Sequence, residues 1–405
     1  MTNRPLEGIR IADFGWVLAV PHATAWLGTL GAEVIRVESM ARLDIARAGG
    51  LARGADGEPG MNRGGMFNGL NFGKKGITLN LAHPKGLDLA KELIRRSDVV
   101  TENFGSGVFE KLGLGYDVVR ELKPDIIMLS GSPLGSKGPD GAATGWGPNT
   151  QAYAGLPHIT GYEGGPPSGL GGFYPDYMIG VVMAFALLTA LHHRRLTGEG
   201  QFVELAMAET VAAMIPEAIL DYTMNGRERE RIGNYHESMA PHGVYRTKGD
   251  DTWVAIAVRG DDDWAAMRRA MGEPAWAADP RFDDALGRRR HREELDRCIA
   301  EWTRQRTDYE AMHALQAAGV PAAPCSSAAS LLEDPQVLER GTLPEIDHPE
   351  TGPRRVVGLP GRLGALTWDY RRAPCFGEHN DDVYGGLLGL SRDEIDRLVA
   401  EQVIF

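Results

Sequence analysis

Ile9-Arg10-Ile11-Ala12-Asp13-Phe14, then a helix-compatible segment from about Pro21 to Leu30, then Glu33-Val34-Ile35-Arg36-Val37-Glu38, is the stretch that decides the fold. Two short β-type runs flank one helical segment, the signature of a strand–helix–strand unit. The pattern repeats: Ile77 to Leu81 precedes a helix from about Pro84 to Arg96, then come Asp98-Val99-Val100-Thr101, a helix near Tyr116 to Leu122, and Asp125 to Ser130. Such a series implies an α/β fold with a parallel, doubly wound, Rossmann-like sheet. The turn after the first strand reads Asp13-Phe14-Gly15-Trp16-Val17 and not G-x-G-x-x-G, which disfavours a plain dinucleotide-binding enzyme.

The chain has 405 residues, 43% of them hydrophobic and 24% charged, the composition of an ordinary globular protein with two or three domains. A net charge of -12 argues against nucleic acid as a partner, because phosphate backbones require surplus Lys and Arg. Cys298, Cys325 and Cys375 lie far apart with no metal-ligand spacing, which fits a reducing cytoplasm. Met1 to Pro5 carries no apolar targeting core. The longest apolar run, Tyr177 to Leu191, ends in His192-His193-Arg194-Arg195 and falls short of the roughly 20 residues a bilayer requires, so it reads as a buried core helix and no membrane partner is expected.

Gly131 to Gly172 is rich in Gly, Pro, Ser and Thr, and a loop region that long is usually functional. It leads into Gly171-Gly172-Phe173-Tyr174-Pro175-Asp176-Tyr177, which sets one carboxylate at the mouth of the apolar helix. Asp176 reads locally as an N-cap; a carboxylate there is also a candidate nucleophile, and local pattern does not separate the roles. After the helix stop at Arg194 to Gly200 comes the strand-like Phe202-Val203-Glu204-Leu205. A second, smaller α+β domain is expected over 226–325, opening with a hairpin around Lys248 to Asp251. Within it, Arg288-Arg289-Arg290-His291-Arg292, balanced by Glu293, Glu294 and Asp296, reads as a solvated helix face. Residues 1–225 and 326–405 flank that domain.

Several motifs together resemble the class III CoA-transferases, the family of formyl-CoA transferase, the carnitine CoA-transferase and the benzylsuccinate CoA-transferases. They are Asp13 with Val17-Leu18-Ala19-Val20-Pro21, Leu30 to Glu38, Gly73 to Leu81, Glu102-Asn103-Phe104, the Asp176 segment, Arg195 to Gln201 and Gly377-Glu378-His379-Asn380. The likeness runs in order along nearly the whole chain. It implies a large domain built from both chain ends, a small inserted domain, and an interlocked homodimer. It also implies that Asp176 is the nucleophile of a CoA transfer between an acyl-CoA and a carboxylic acid, with no metal or redox cofactor, the CoA thioester being a substrate.

Carried over residue by residue, the resemblance implies that Val17, Leu18 and Ala19 line the CoA channel. Lys74 then stands near the nucleotide, Asn103 and Phe104 near the pantetheine and adenine, Lys111 replaces a basic CoA-binding residue of the family in the helix after them, and Arg47 is a candidate for phosphate. Trp146, Tyr153, Tyr174 and His236 are expected at the substrate pocket. This chain departs from the family in placing Ser39 where a basic residue near the phosphate is common. It also has Tyr235 to Pro241 in place of a mobile glycine loop, and Pro148 in place of a second carboxylate. An α-methylacyl-CoA racemase of the same fold is the rival reading, and an intramolecular CoA-transferring isomerase a third. Racemization requires a second base, and the position of that His carries Trp146, whose indole takes up no proton at neutral pH. Succinyl-CoA is the donor that the benzylsuccinate-like segments suggest.

Overall fold

The computed structural model describes residues 4–48, 58–366 and 368–405 and divides into two compact units. The first comprises 1–157, 169–228 and 342–405; the second comprises 158–168 and 229–341. The second unit therefore runs to 341, where the sequence suggested 325, and takes in a short stretch upstream of Asp176. Residues 1–3, at the start of the segment read as lacking a targeting core, lie outside the described residues.

In the first unit β1 (Arg10–Asp13), β2 (Glu33–Glu38), β3 (Lys75–Thr78), β4 (Val99–Glu102), β5 (Ile127–Ser132) and β6 (Phe202–Ala206) form one six-stranded sheet in the order β3-β2-β1-β4-β5-β6. Every neighbouring pair is parallel, with Ala12 opposite Ile35 on one side and Val100 on the other. This is the strand order of a Rossmann fold, whose ligand crevice lies where the order reverses, beside β1 and β4. Side chains alternate between two helical layers, as the period of a strand requires. Ile11, Val34, Val99 and Ile127 enter a core shared with α1 (Ala19–Thr29) and the long helix introduced below. Ala12, Ile35, Val100 and Met128 enter the opposite core, with α2 (Pro84–Arg95) and α3 (Tyr116–Leu122).

The chain end joins that second core through Val383, Tyr384, Ile395, Val403 and Ile404. It is stitched to β3 by hydrogen bonds from Thr78 N–H to Asn380 Oδ1 (2.9 Å), from Phe405 N–H to Thr78 Oγ1 (3.0 Å) and from Tyr384 O–H to the Thr78 carbonyl (2.7 Å).

Within the segment expected to be a loop, α4 (Gly147–Tyr153) forms, with Pro148 in its first turn. The apolar run becomes α5 (Tyr174–Thr197), 24 residues, longer than its sequence core because the basic residues to Thr197 also stay helical. Among the described residues it is the one helix long and apolar enough to cross a membrane, yet one face, with Ile179, Met183 and Leu187, packs into the core. The chain then enters β6 and α6 (Met207–Ala213).

The second unit holds an antiparallel sheet, β7 (His242–Arg246), β8 (Trp253–Ala257) and β9 (Ala322–Pro324), over helices including α7 (Arg292–Thr303). The hairpin forms at the expected place. Arg288 departs from the solvated face expected of its cluster: it is fully buried, bonded to Asp261 (2.7 Å) and to the Ala240 carbonyl (2.7 Å). The two-stranded β10 (Glu345–Ile346) and β11 (Arg354–Arg355) belong to the first unit.

At the end of β1, Asp13 is wholly buried and accepts from Lys74 Nζ (2.9 Å), Thr24 Oγ1 (2.8 Å), Gly15 N–H (2.9 Å) and Thr101 Oγ1 (3.2 Å). Breaking one side of such a pair typically costs about 3–5 kcal/mol, since the other charge is left buried alone. Asp13→Leu and Lys74→Met are each expected to lower the urea-unfolding free energy by that amount, while the double variant Asp13→Leu with Lys74→Met costs less than the sum. Additive losses in the double-mutant cycle would show that the two groups act separately.

Candidate active site

A cavity of about 670 Å³ opens at the C-terminal end of the sheet. Its wall is the turn after β1 (Phe14, Trp16, Val17), the end of β2 (Glu38, Ser39), the turn after β4 (Asn103, Phe104), the end of β5 and the start of α5 (Asp176, Ile179). Residues far apart in sequence meet there because parallel strands deliver all their C-terminal ends to one edge.

The turn after β1 is held against its own preference. Val17 has φ +59° although it is β-branched, a conformation that costs of order 1–3 kcal/mol and persists only where the surroundings impose it. Here they do. Val17 N–H donates to Asp44 Oδ2 (3.1 Å), and the buried Arg36 binds both Asp44 and the Gly15 carbonyl. Trp16 N–H donates to Asn103 Oδ1 (2.6 Å) while Asn103 Nδ2 donates back to the Trp16 carbonyl (2.9 Å). Gly15 is required, because a Cβ there would overlap Val20. Glu102 accepts from Phe104 N–H (2.7 Å), and burial raises its carboxyl to about 7. The tightly made turn presents Trp16 and Val17 to the cavity.

Asp176 is the third residue of α5, with Phe173 as the N-cap, so the sequence-based capping role is corrected: Asp176 stands three positions inside the helix. In the first turn a carboxylate still faces the positive end of the helix dipole. Burial opposes this and raises its carboxyl to about 6, with its own N–H pulling the other way. Oδ2 is buried without a hydrogen-bond partner. Gly147, the first residue of α4, backs that oxygen: a Cβ there would overlap Oδ2 and stand 2.6 Å from the Gly172 carbonyl. Ile179 and Met183, one and two turns along, share the cavity wall with Asp176, joined by Met207 and Trp146. A desolvated, under-bonded carboxylate at an apolar wall is a stronger nucleophile than a hydrated one.

The other sequence-derived site residues separate into two groups. Val17, Ala19, Asn103, Phe104 and Trp146 line this cavity with Asp176. Leu18 is fully buried beneath them. Lys74 does not reach the cavity, since its ammonium is buried on Asp13, the Pro21 carbonyl and Asn71 Oδ1, each at 2.9 Å. Desolvation by burial pulls it down to about 8 against the attraction of Asp13, which Lys74 and Arg36 in turn hold below its usual range despite burial. Arg47 is likewise buried, paired with Glu38 and lying over the Phe67 ring, 3.5 Å from its centroid. Lys111 is exposed at the end of helix Val108–Lys111 and does not line the cavity, although Val108 and Leu112 beside it do. Tyr153 and Tyr174 are exposed and do not line the cavity. His236 lines a separate, small cavity within the second unit, where its Nδ1 accepts from the Ser238 and Met239 amides. Sequence reading passed over Met183, Met207 and Arg42 on the main cavity, and Gly147 behind the Asp176 carboxylate; only Met183 left a signal, lying seven residues from Asp176 on one helix face.

Residues 6–380 match the family described as CoA-transferase family III. The chain is 34% identical to the succinyl-CoA–D-citramalate CoA-transferase of Chloroflexus aurantiacus, covering 99% of this chain and 98% of that one. It is 31% identical to the formyl-CoA:oxalate CoA-transferase of Streptomyces coelicolor over the whole of both chains. Among solved structures, a CAIB/BAIF family protein from Brucella suis superposes with a TM-score of 0.87 at 28% identity, covering 95% of this chain and 100% of that one. With the α/β sheet, the cavity at its crevice and a match along almost its full length, the chain belongs to CoA-transferase family III and is a CoA-transferase of acyl-CoA metabolism, EC 2.8.3.-.

Proposed function

We propose that Asp176 is the nucleophile that carries CoA from an acyl-CoA donor to a carboxylic acid. The observation that carries this reading is the Asp176 carboxylate itself, desolvated and under-bonded on the wall of the cavity. A carboxylate oxygen attacks the thioester carbon, the C–S bond breaks, and CoA leaves as thiolate, giving an aspartyl–acyl anhydride. Thiolate attacks the aspartyl carbonyl, forming aspartyl-CoA and expelling the donor acid as carboxylate. The acceptor carboxylate then attacks aspartyl-CoA, and thiolate returned to the new acyl carbon frees Asp176. Both acids and the enzyme offer carboxylates of similar leaving ability, so the steps are nearly balanced and no proton is consumed. The anhydride survives only where water is kept out, which Ile179, Met183, Met207 and Trp146 favour.

A racemase finds less support, because Trp146 offers no base beside Asp176. Transfer between two carboxyls of one diacid uses the same chemistry and is told apart by whether label crosses between acids. Succinyl-CoA is the donor to test first, since relatives from Chloroflexus aurantiacus and Mus musculus are named for it. We place the catalysis in a homodimer, the interlocked form that the family resemblance implies. Tyr177, Val181, Phe185 and Leu188 support this: they follow one another at helical spacing along α5 and stand exposed, Phe185 at 69%, as an apolar stripe that a second copy would cover.

Incubation with acyl-CoA followed by hydroxylamine or borohydride is expected to modify the peptide holding Asp176; an unmodified peptide, together with parental exchange by Asp176→Ala, would sink the mechanism. Because the nucleophile is the ionised form and its pKa is raised to about 6, exchange rises with pH through that value and flattens above it. The same sign makes the folded state bind the proton more tightly than the unfolded state, whose carboxyl titrates near 3.8. Asp176→Asn is therefore expected to raise Tm at pH 8 and not at pH 3.5, and Gly147→Ala, which displaces the carboxylate, to reduce kcat at least about tenfold. In light scattering the chain runs at twice its mass, and Phe185→Glu lowers that mass; a monodisperse parental monomer would refute the dimer.

A further inference from the structure

Among the described residues, the charged ones on the cavity wall apart from Asp176 are Glu38 and Arg42, and they are in opposite states. Glu38 ends β2, where a fold of this strand order places the acid that binds a ribose hydroxyl. Here Arg47 holds both its oxygens, at 2.8 Å each, and neutralises its charge. Arg42, four residues on, is exposed and has no ion pair or hydrogen bond among the described residues; its guanidinium rests over the Trp16 ring, 5.0 Å from the centroid. Between them Ser39 lines the same cavity, and its hydroxyl is buried without a partner. An unmade hydrogen bond of this kind costs about 1–3 kcal/mol, and an unpaired guanidinium keeps its fork of donors free. A lone hydroxyl and an unneutralised cation on one wall match an oxyanion.

The geometry points to Ser39 and Arg42 as the residues that hold a phosphate at the nucleotide end of acyl-CoA. This rests on the CoA-transfer reading for the ligand and adds the residues that recognise its charged end. It also explains how the site works with Lys74 and Arg47 locked in the core. The sheet supplies the spacing: β2 lies three strand steps from β5, roughly 14 Å at about 4.8 Å per step. On the β5 side Gly131 abuts Met183, which stands beside Asp176 on the cavity wall. Phosphate at β2 and thioester at Asp176 therefore fall at opposite ends of one cavity. Trp16 and Asn103, which follow β1 and β4, lie between them in sheet order.

Calorimetric binding of CoA, 3′-dephospho-CoA and pantetheine to the full chain tests this without requiring turnover. Arg42→Ala is expected to weaken CoA about tenfold or more and to leave pantetheine unchanged, with Arg42→Lys recovering part of the loss and Ser39→Ala falling in the same direction. If the Arg42→Ala penalty vanishes on 3′-dephospho-CoA, the contact is the 3′-phosphate; if it persists there but not on pantetheine, it is the pyrophosphate, and both outcomes support the assignment. Equal weakening of CoA and pantetheine would mean that Arg42 only props Trp16, and unchanged CoA binding would mean no contact; either overturns it. Failure of the transfer reading shows separately, as an unmodified Asp176 in the parental enzyme, and leaves this binding series interpretable.

Discussion

The buried Asp13–Lys74 pair is the interaction on which the cavity depends. One carboxylate at the end of β1 binds an ammonium from the residue just before β3, a hydroxyl from α1, another from β4, and the amide of Gly15 at the beginning of the site turn. Two opposite charges in a low-dielectric interior are tolerated only when every remaining lone pair and proton is occupied. Lys74 meets that condition with the Pro21 carbonyl and Asn71. The pair thus fixes the strand ends and α1 in one register, and the strained Val17 is built upon that register.

Around this anchor the molecule assigns its charges sparingly. Arg36 with Asp44 and Arg47 with Glu38 form two further buried pairs just below the cavity. They hold the turn after β1 and the end of β2, and they consume the acid that a ribose-binding fold would leave free. The cavity wall carries Asp176 at the start of α5 and Arg42 with Ser39 after β2, with the apolar Ile179, Met183 and Met207 also on it. This division suits a substrate that is charged at its nucleotide end and reacts at a water-sensitive acyl end.

Much of the fold was legible because alternation and helical spacing are local properties. Strands β1, β2, β4, β5 and β6, helices α1 to α3 and the hairpin of the second unit fall within a few residues of their sequence-based positions. The helix α4 was missed because Gly145 to Pro148 reads as turn chemistry, and β9 because Ala322-Ala323-Pro324 carries no strand propensity and forms by pairing with β8. Within the site, Asp176, Val17, Asn103 and Phe104 were recognisable through ordered motifs. Lys74 and Arg47 were read as ligands for an anion because a basic residue in sequence shows its charge and conceals its partner.

The sequence by itself determined the α/β class, the family and the presence of an indole, Trp146, at position 146, since each rests on residue type and order. Only the tertiary structure decided which charges are spent. Lys74, Arg36, Arg47 and Arg42 look equivalent along the chain, yet the first three meet carboxylates 61, 8 and 9 positions away, while among the described residues Arg42 meets an aromatic face and no carboxylate. Ion pairing and desolvation are properties of distance in space, and folding sets those distances through contacts that neighbouring sequence does not encode.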